Sequence, residues 1–162
     1  MAIRDRTLAT AEFLAVDVET NGRAGDLCEL TEVGAVLVGG GELHDRFESL
    51  VRVEQPLSRG IERFTGITQA MVDAAPPQAD VLREFAELAR DRVLIAHNAS
   101  FDRRALRQAF ERVGIDWSDP PFLCTVRLAT RTEGGDPSVP LWAARRNSDV
   151  LADAVGQPVE IS

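Results

Sequence analysis

The sequence contains no lysine, and all 18 of its basic residues are arginine. Set against 26 acidic residues they leave a net charge of −8. That balance excludes a broad basic surface gripping nucleic acid along its length, but not an enzyme that handles a short stretch at a metal site. Cysteine is scarce as well. Cys28 and Cys124 lie far apart with no metal-binding spacing, and both are expected to be free thiols, Cys124 in a buried strand position. No apolar run approaches the roughly 20 residues of a membrane helix, and the opening MAIRDRTLATAEF lacks the apolar core of a signal peptide. A soluble, cytoplasmic protein with no membrane association is the expectation. The absence of G-x-G-x-x-G and of a P-loop removes the commonest nucleotide-binding α/β families. Histidine occurs only at His44 and His97.

What the chain does have is enough apolar residue, 44% of 162, for one domain with a substantial core. Glu12 to Val18 reads as a short apolar central strand. A loop rich in Gly, Asn and Asp follows, and Glu32 to Val38 gives a second strand. Gly39, Gly40 and Gly41 then make a tight turn into a third strand, Leu43 to Val53. Short connections make these three an antiparallel meander. Beyond Pro76 and Pro77 the period changes. Val81, Leu82, Phe85, Leu88 and Ala89 share one helical face, with Asp80 as a candidate N-cap. Val93 to Ala96 is a short buried strand, and a helix begins at Ser100 and closes at Gly114. Phe122 to Thr125 is a further strand running into a helix through Arg131. A Gly/Pro-rich loop, Glu133 to Pro140, precedes a last helix from about Asn147 to Val155. The order is that of a mixed α/β sheet with helices packed on it.

Two features carry chemistry. Asp17 and Glu19, two apart in a strand, point to the same face. Two carboxylates side by side at the end of an apolar segment are costly unless something positive neutralises them, and hard carboxylate oxygens suit Mg²⁺ or Mn²⁺. The alternative is a pair of acids at a solvated strand end. In Leu94-Ile95-Ala96-His97-Asn98-Ala99-Ser100-Phe101-Asp102 a buried strand turns sharply into a helix, with Asp102 in the first helical turn. There an acid also suits the helix dipole. His97 reads as a residue orienting the turn rather than as a ligand or base.

FLAVDVETNG resembles the first motif of the DEDDh family, the DnaQ-like proofreading exonucleases that include the epsilon subunit of bacterial DNA polymerase III. IAHNASFD is similar to the second motif. Phe64-Thr65-Gly66-Ile67-Thr68, Met71-Val72 and Ala75-Pro76-Pro77 resemble the segment between them, and Phe122 to Ala129 resembles the stretch after the second. The resemblance implies a ribonuclease H-like fold and a metal-dependent 3′→5′ exonuclease that releases nucleoside 5′-monophosphates. Asp17, Glu19 and Asp102 would be three of its carboxylates, serving two divalent cations, Mg²⁺ or Mn²⁺. Thr20, Thr65 and Asn98 would lie beside the substrate, Thr65 where epsilon proteins often have histidine. A single-stranded DNA or RNA 3′ end is the implied substrate and a DNA polymerase subunit the implied partner, in replication or repair.

The family's third motif, His-x-Ala-x-x-Asp-Ala, supplies a general base and a fourth carboxylate, and this sequence departs from it. Either residues 1–162 stop before that motif, the favoured reading, or Ser148 to Ala154 is a degenerate version with Ser148 replacing histidine and Asp153 retained as the fourth acid. The rival functional class is a catalytically inactive module that binds a nucleic-acid end or a polymerase. Arg103, Arg104 and Arg107 could contact a strand in either case, although an exposed helix face explains them equally well.

Overall fold

The computed structural model describes residues 12–22, 28–40 and 42–129. The alternation seen in the first apolar segment places Leu14, Val16 and Val18 on one face of β1 (Glu12–Thr20), each 5% exposed or less. β2 (Leu30–Gly39) pairs with it antiparallel and adds Val33, Ala35 and Leu37 to the core. Gly40, at φ +60, belongs to the turn into β3 (Glu42–Leu50), a backbone conformation glycine adopts at no steric cost. The β3 ladder stops at Leu50 rather than at Val53. Val51 is still tied to Thr31 O at 2.8 Å, and both Val51 and Val53 are buried beyond the strand's end. Hydrophobic alternation therefore overran the ladder.

Two short helices follow that the sequence pattern did not reveal: α1 (Arg59–Thr65) and α2 (Gln69–Asp73). α1 buries no residue at all, so it leaves no apolar stripe to detect. Its signals are in its caps. Ser58 Oγ accepts from the Ile61 amide at 3.2 Å, and Gly66 ends the helix at φ +79. Thr68 Oγ1 caps α2 by accepting from the Met71 amide. A small cluster of Val53, Ile67 and Val72, backed by Leu50 and Leu57, seats this region.

α3 (Gln78–Ala89) starts directly after Pro77, whose φ of −58 suits helix entry, so Asp80 is not its N-cap. Asp80 stands in the first turn and pairs with Arg83. β4 (Val93–Ala96), α4 (Ser100–Val113), β5 (Phe122–Cys124) and α5 (Thr125–Ala129) complete the described elements. Cys28 is buried and Cys124 only half-buried, both as free thiols; Cys124 ends the edge strand β5 rather than lying inside the core.

The sheet order is β3-β2-β1-β4-β5. The β1–β2 and β2–β3 pairs are antiparallel, while β4 pairs parallel with both β1 and β5. This is the mixed ribonuclease H-like sheet with flanking helices. Val81, Leu82, Phe85 and Ala89 of α3 and Ala105, Leu106, Ala109 and Phe110 of α4 form one core with the strand residues. Trp117 stacks on Phe110 at a centroid distance of 4.2 Å and approaches Phe85 at 5.9 Å. Fully burying one such large side chain contributes about 1.5–3 kcal/mol. The exposed Arg83–Asp80 and Arg90–Glu87 pairs contribute at most about 1 kcal/mol each. Apolar packing holds the fold. No helix among the described residues is long and apolar enough to cross a membrane. Ser148, Asp153 and the expected loop and last helix lie outside the described residues.

Candidate active site

The parallel pairing of β1 with β4 covers only Phe13, Ala15 and the residue between them. The rest of β1 projects past the end of β4. Into that space the chain turns through His97, Asn98 and Ala99 and starts α4. Asn98 takes φ +59, a conformation asparagine tolerates better than most residues, and its carbonyl accepts from the Phe101 amide at 2.9 Å. This sharp reversal delivers Asp102, only 2% exposed, to the strand. Asp102 Oδ1 accepts a hydrogen bond from the Val18 amide at 3.2 Å, giving a buried acceptor to a strand amide beyond the last β4 pairing.

Asp17 and Glu19 flank Val18. Asp17 is exposed and Glu19 half-buried, on the pleat opposite Val16 and Val18. Electrostatics couple the three acids. Burial, and after it the Asp17 charge, pushes the Asp102 carboxyl up to about 7, with Glu19 adding to the effect and the backbone amides of Asp102 and Val18 opposing it. Glu19 is pushed up to about 6 by burial first, then by Asp17 and Glu32. Each carboxyl holds its proton toward neutrality because burial disfavours its charged form, with the neighbouring acids adding to the effect.

The acidic surface extends further than the sequence suggested. Gly34 is paired with Asp17 on one side and Glu48 on the other, and Glu19 is paired with Glu32. The Glu32 carboxyl is raised from its ordinary value by burial, then by Glu48 and Asp17. The alternation of Glu32 and Gly34 in β2 was visible in the sequence, but the register that sets them beside Asp17 and Glu19 was not.

As donors, Asp17, Glu19 and Asp102 fit a hard divalent cation: oxygen ligands, excess negative charge, and, among the described residues, no basic partner in the electrostatic balance of Glu19 or Asp102. Among the described residues, however, no three such side chains converge tightly enough to form a complete ligand cage by themselves. Asp153 is outside the described residues.

The remaining predicted residues are engaged locally. Thr20 is buried and donates its hydroxyl proton to Gly22 O at 2.6 Å. Thr65 Oγ1 donates to Ile61 O at 2.9 Å and accepts from the Ile67 amide at 3.1 Å, closing α1. Asn98 Oδ1 accepts from Ser100 Oγ. His97 Nδ1 lies 2.8 Å from Thr125 Oγ1, tying the turn to the start of α5, while its Nε2 is buried with no partner among the described residues. His44 Nε2 lies 2.8 Å from Gly39 O on the far edge of the sheet. Of the three helix arginines, Arg103 and Arg107 both donate to Asp119, whose carboxyl is held down to about 2, chiefly by Arg103.

The sequence profile of the RNase T exonuclease family matches residues 14–153. A candidate bifunctional exonuclease/endonuclease of Mycobacterium tuberculosis is 44% identical over 154 residues, covering 90% of this chain and 23% of that protein. A PolC-type DNA polymerase III of Bacillus cereus is 40% identical over 124 residues, 76% of this chain and 9% of the polymerase. The chain thus spans under a quarter of the length of these curated relatives. Among solved structures, exonuclease X in complex with 5′-overhanging duplex DNA superposes with a TM-score of 0.60 at 27% identity, over 93% of this chain and 76% of the other. Apo exonuclease I shares the fold at a TM-score of 0.68 and 20% identity, over 77% of this chain and 32% of the other. With the strand-borne acids, the strand–turn–helix delivery of a third acid and a profile match across most of its length, the chain belongs to the RNase T family of exonucleases, of DnaQ-like type.

Proposed function

We propose that the chain is a metal-dependent 3′→5′ exonuclease domain that hydrolyses the terminal phosphodiester bond of a single-stranded DNA or RNA end and releases a nucleoside 5′-monophosphate. The observation that carries this reading is the coupled set Asp17, Glu19 and Asp102, two acids on a strand end and one buried acid hydrogen-bonded between them at Val18. These carboxylates would hold Mg²⁺ or Mn²⁺. Such a cation, when bound, supplies Lewis-acid polarisation of a phosphoryl oxygen and lowers the pKa of a coordinated water.

The protein's own part is binding and orientation. The Val18 amide holds Asp102 against the strand between Asp17 and Glu19. Thr20, Thr65 and Asn98 shape the surroundings of the terminal nucleotide through backbone turns that their side chains stabilise, with acceptor lone pairs left for the substrate. The acidic face repels bare phosphate, so access for a polyanion depends on the cation. In the longer proteins that contain such a domain, a polymerase subunit is the fitting partner.

A second reading, binding without turnover, is favoured by one observation. Both histidines of the sequence are engaged elsewhere, His44 at Gly39 and His97 at Thr125, so neither is set up as a general base. Degradation of a 3′-labelled single-stranded oligonucleotide with Mn²⁺, beside Asp17→Ala, decides between them. Shortening from the 3′ end that Asp17→Ala abolishes is the expected result. Mn²⁺-dependent binding with no shortening selects the non-catalytic module, and shortening unaffected by Asp17→Ala overturns the site.

A further inference from the structure

Glu29 lies outside the acids considered so far, yet it is 7% exposed and fully used. Its Oε1 accepts from the Glu54 amide at 2.9 Å, and its Oε2 from the Gln55 amide at 2.9 Å and from Asn21 Nδ2 at 3.0 Å. Its backbone is bound to the same asparagine twice more. The Glu29 amide donates to Asn21 Oδ1 at 2.8 Å, and the Asn21 amide donates to Glu29 O at 3.0 Å. Every donor to the carboxylate is an N–H, so it serves as an acceptor hub joining three chain segments.

Two of those segments lead to residues that the exonuclease reading places beside the substrate. Asn21 directly follows Thr20 at the end of β1. Glu54 and Gln55 open the connection to α1, which ends in Thr65. The connection continues as a relay: the Leu57 amide donates to Gln69 Oε1 at 2.7 Å, and the Gln69 amide donates to Glu62 Oε1 at 2.7 Å, inside α1. From the other side, Arg112 Nη2 of α4 donates to Cys28 O at 2.8 Å, the residue before Glu29. α1 buries nothing of its own, so its placement depends on this polar network and on the small Val53–Ile67–Val72 cluster.

We propose that Glu29 is a positioning residue for nucleotide binding: its carboxylate sets the spacing between the Thr20–Asn21 end of β1 and the connection that carries α1 and Thr65. It contacts neither cation nor substrate, and its role rests on the exonuclease reading given above. Replacing it with glutamine keeps the volume but turns an acceptor into an NH₂ group facing N–H donors. The joint between the segments that carry Thr20 and Thr65 is thereby loosened, and nucleotide affinity is expected to fall about tenfold.

The test uses the 162-residue chain and thymidine 5′-monophosphate, a product that cannot be cut further, in the presence of Mn²⁺. Glu29→Gln is expected to weaken nucleotide binding about tenfold, to accelerate exchange of the Glu54 and Gln55 amides, and to leave Mn²⁺ affinity without nucleotide unchanged. A merely structural lesion lowers the number of sites instead, at unchanged affinity. Equal nucleotide affinity in parent and Glu29→Gln overturns the positioning role and leaves the exonuclease reading standing. A parent chain that binds Mn²⁺ but no nucleotide overturns the exonuclease reading, and this role with it. Should Glu29→Gln fail to fold, Asn21→Ala removes one arm of the hub alone. Weakened nucleotide binding in that variant supports the role, and parental affinity overturns it.

Discussion

Asp102 Oδ1 meets the Val18 amide nitrogen at 3.2 Å across 84 residues of sequence, and this bond sets a buried acid beside the strand residues Asp17 and Glu19. The contact is favourable and its electrostatic setting is not. With its carboxyl pushed up to about 7, against about 4 in an unfolded chain, the folded protein holds more protons than the unfolded one between those values. Stability contributed by the neutral carboxyl is therefore fully present below about pH 4 and is lost as the pH rises through about 7. Asp102→Asn keeps an oxygen for Val18 and removes the charge. At pH 8 without divalent cations it is expected to raise Tm by roughly 4–8 °C, for about 2 kcal/mol of relieved repulsion and desolvation. At pH 4 the difference should vanish. Thermal melts at the two pH values check this, and a variant no more stable than the parent at pH 8 contradicts it.

Cations and protons compete for the same acids. Glu19, pushed up to about 6, and Asp102, at about 7, must both lose protons for a cation to bind. Mn²⁺ affinity is accordingly expected to be at least about tenfold weaker at pH 5.5 than at pH 7.5, with proton release on binding. Calorimetry in buffers of different ionisation enthalpy reads both quantities. A pH-independent affinity would mean that the cation is held elsewhere.

Trp117 closes the core from the loop after α4, stacked 4.2 Å from Phe110. Trp117→Ala is expected to destabilise the fold by about 3 kcal/mol, as large-to-small changes in aromatic packing do, seen as a lowered urea midpoint with an unchanged slope. Mn²⁺ affinity under native conditions should not change, because the stack is on the core side of the sheet.

Much of this was legible in the sequence, and what escaped did so for physical reasons. β1 and α4 declare themselves by alternation and by a helical stripe. Asp17 and Glu19 stood out because acids at the end of an apolar strand require an explanation; Asp102, equally readable as a helix-dipole charge, took its role from the resemblance of IAHNASFD to the second motif. α1 and α2 were missed because helices that bury little leave no periodicity; only Ser58, Gly66 and Thr68 mark their ends. The local bonds of Thr20 and Thr65 could have been anticipated, since threonine hydroxyls habitually bond to nearby backbone. Glu29 could not, because its partners include the amides of Glu54 and Gln55, and backbone donors carry no signature in sequence. The coupling of Glu32 and Glu48 to Asp17 likewise depends on register alone.

α4 contributes Ala105, Leu106, Ala109 and Phe110 to the core and Asp102 to the candidate site. Until that helix docks, the β1–β2–β3 meander lacks part of the cover on its apolar face, and Asp17 and Glu19 stand without Asp102. Covering the face and delivering the third acid are one event. A nascent or partly unfolded chain therefore lacks Asp102 beside Asp17 and Glu19, and the three proposed acids come together only in molecules whose core has already closed.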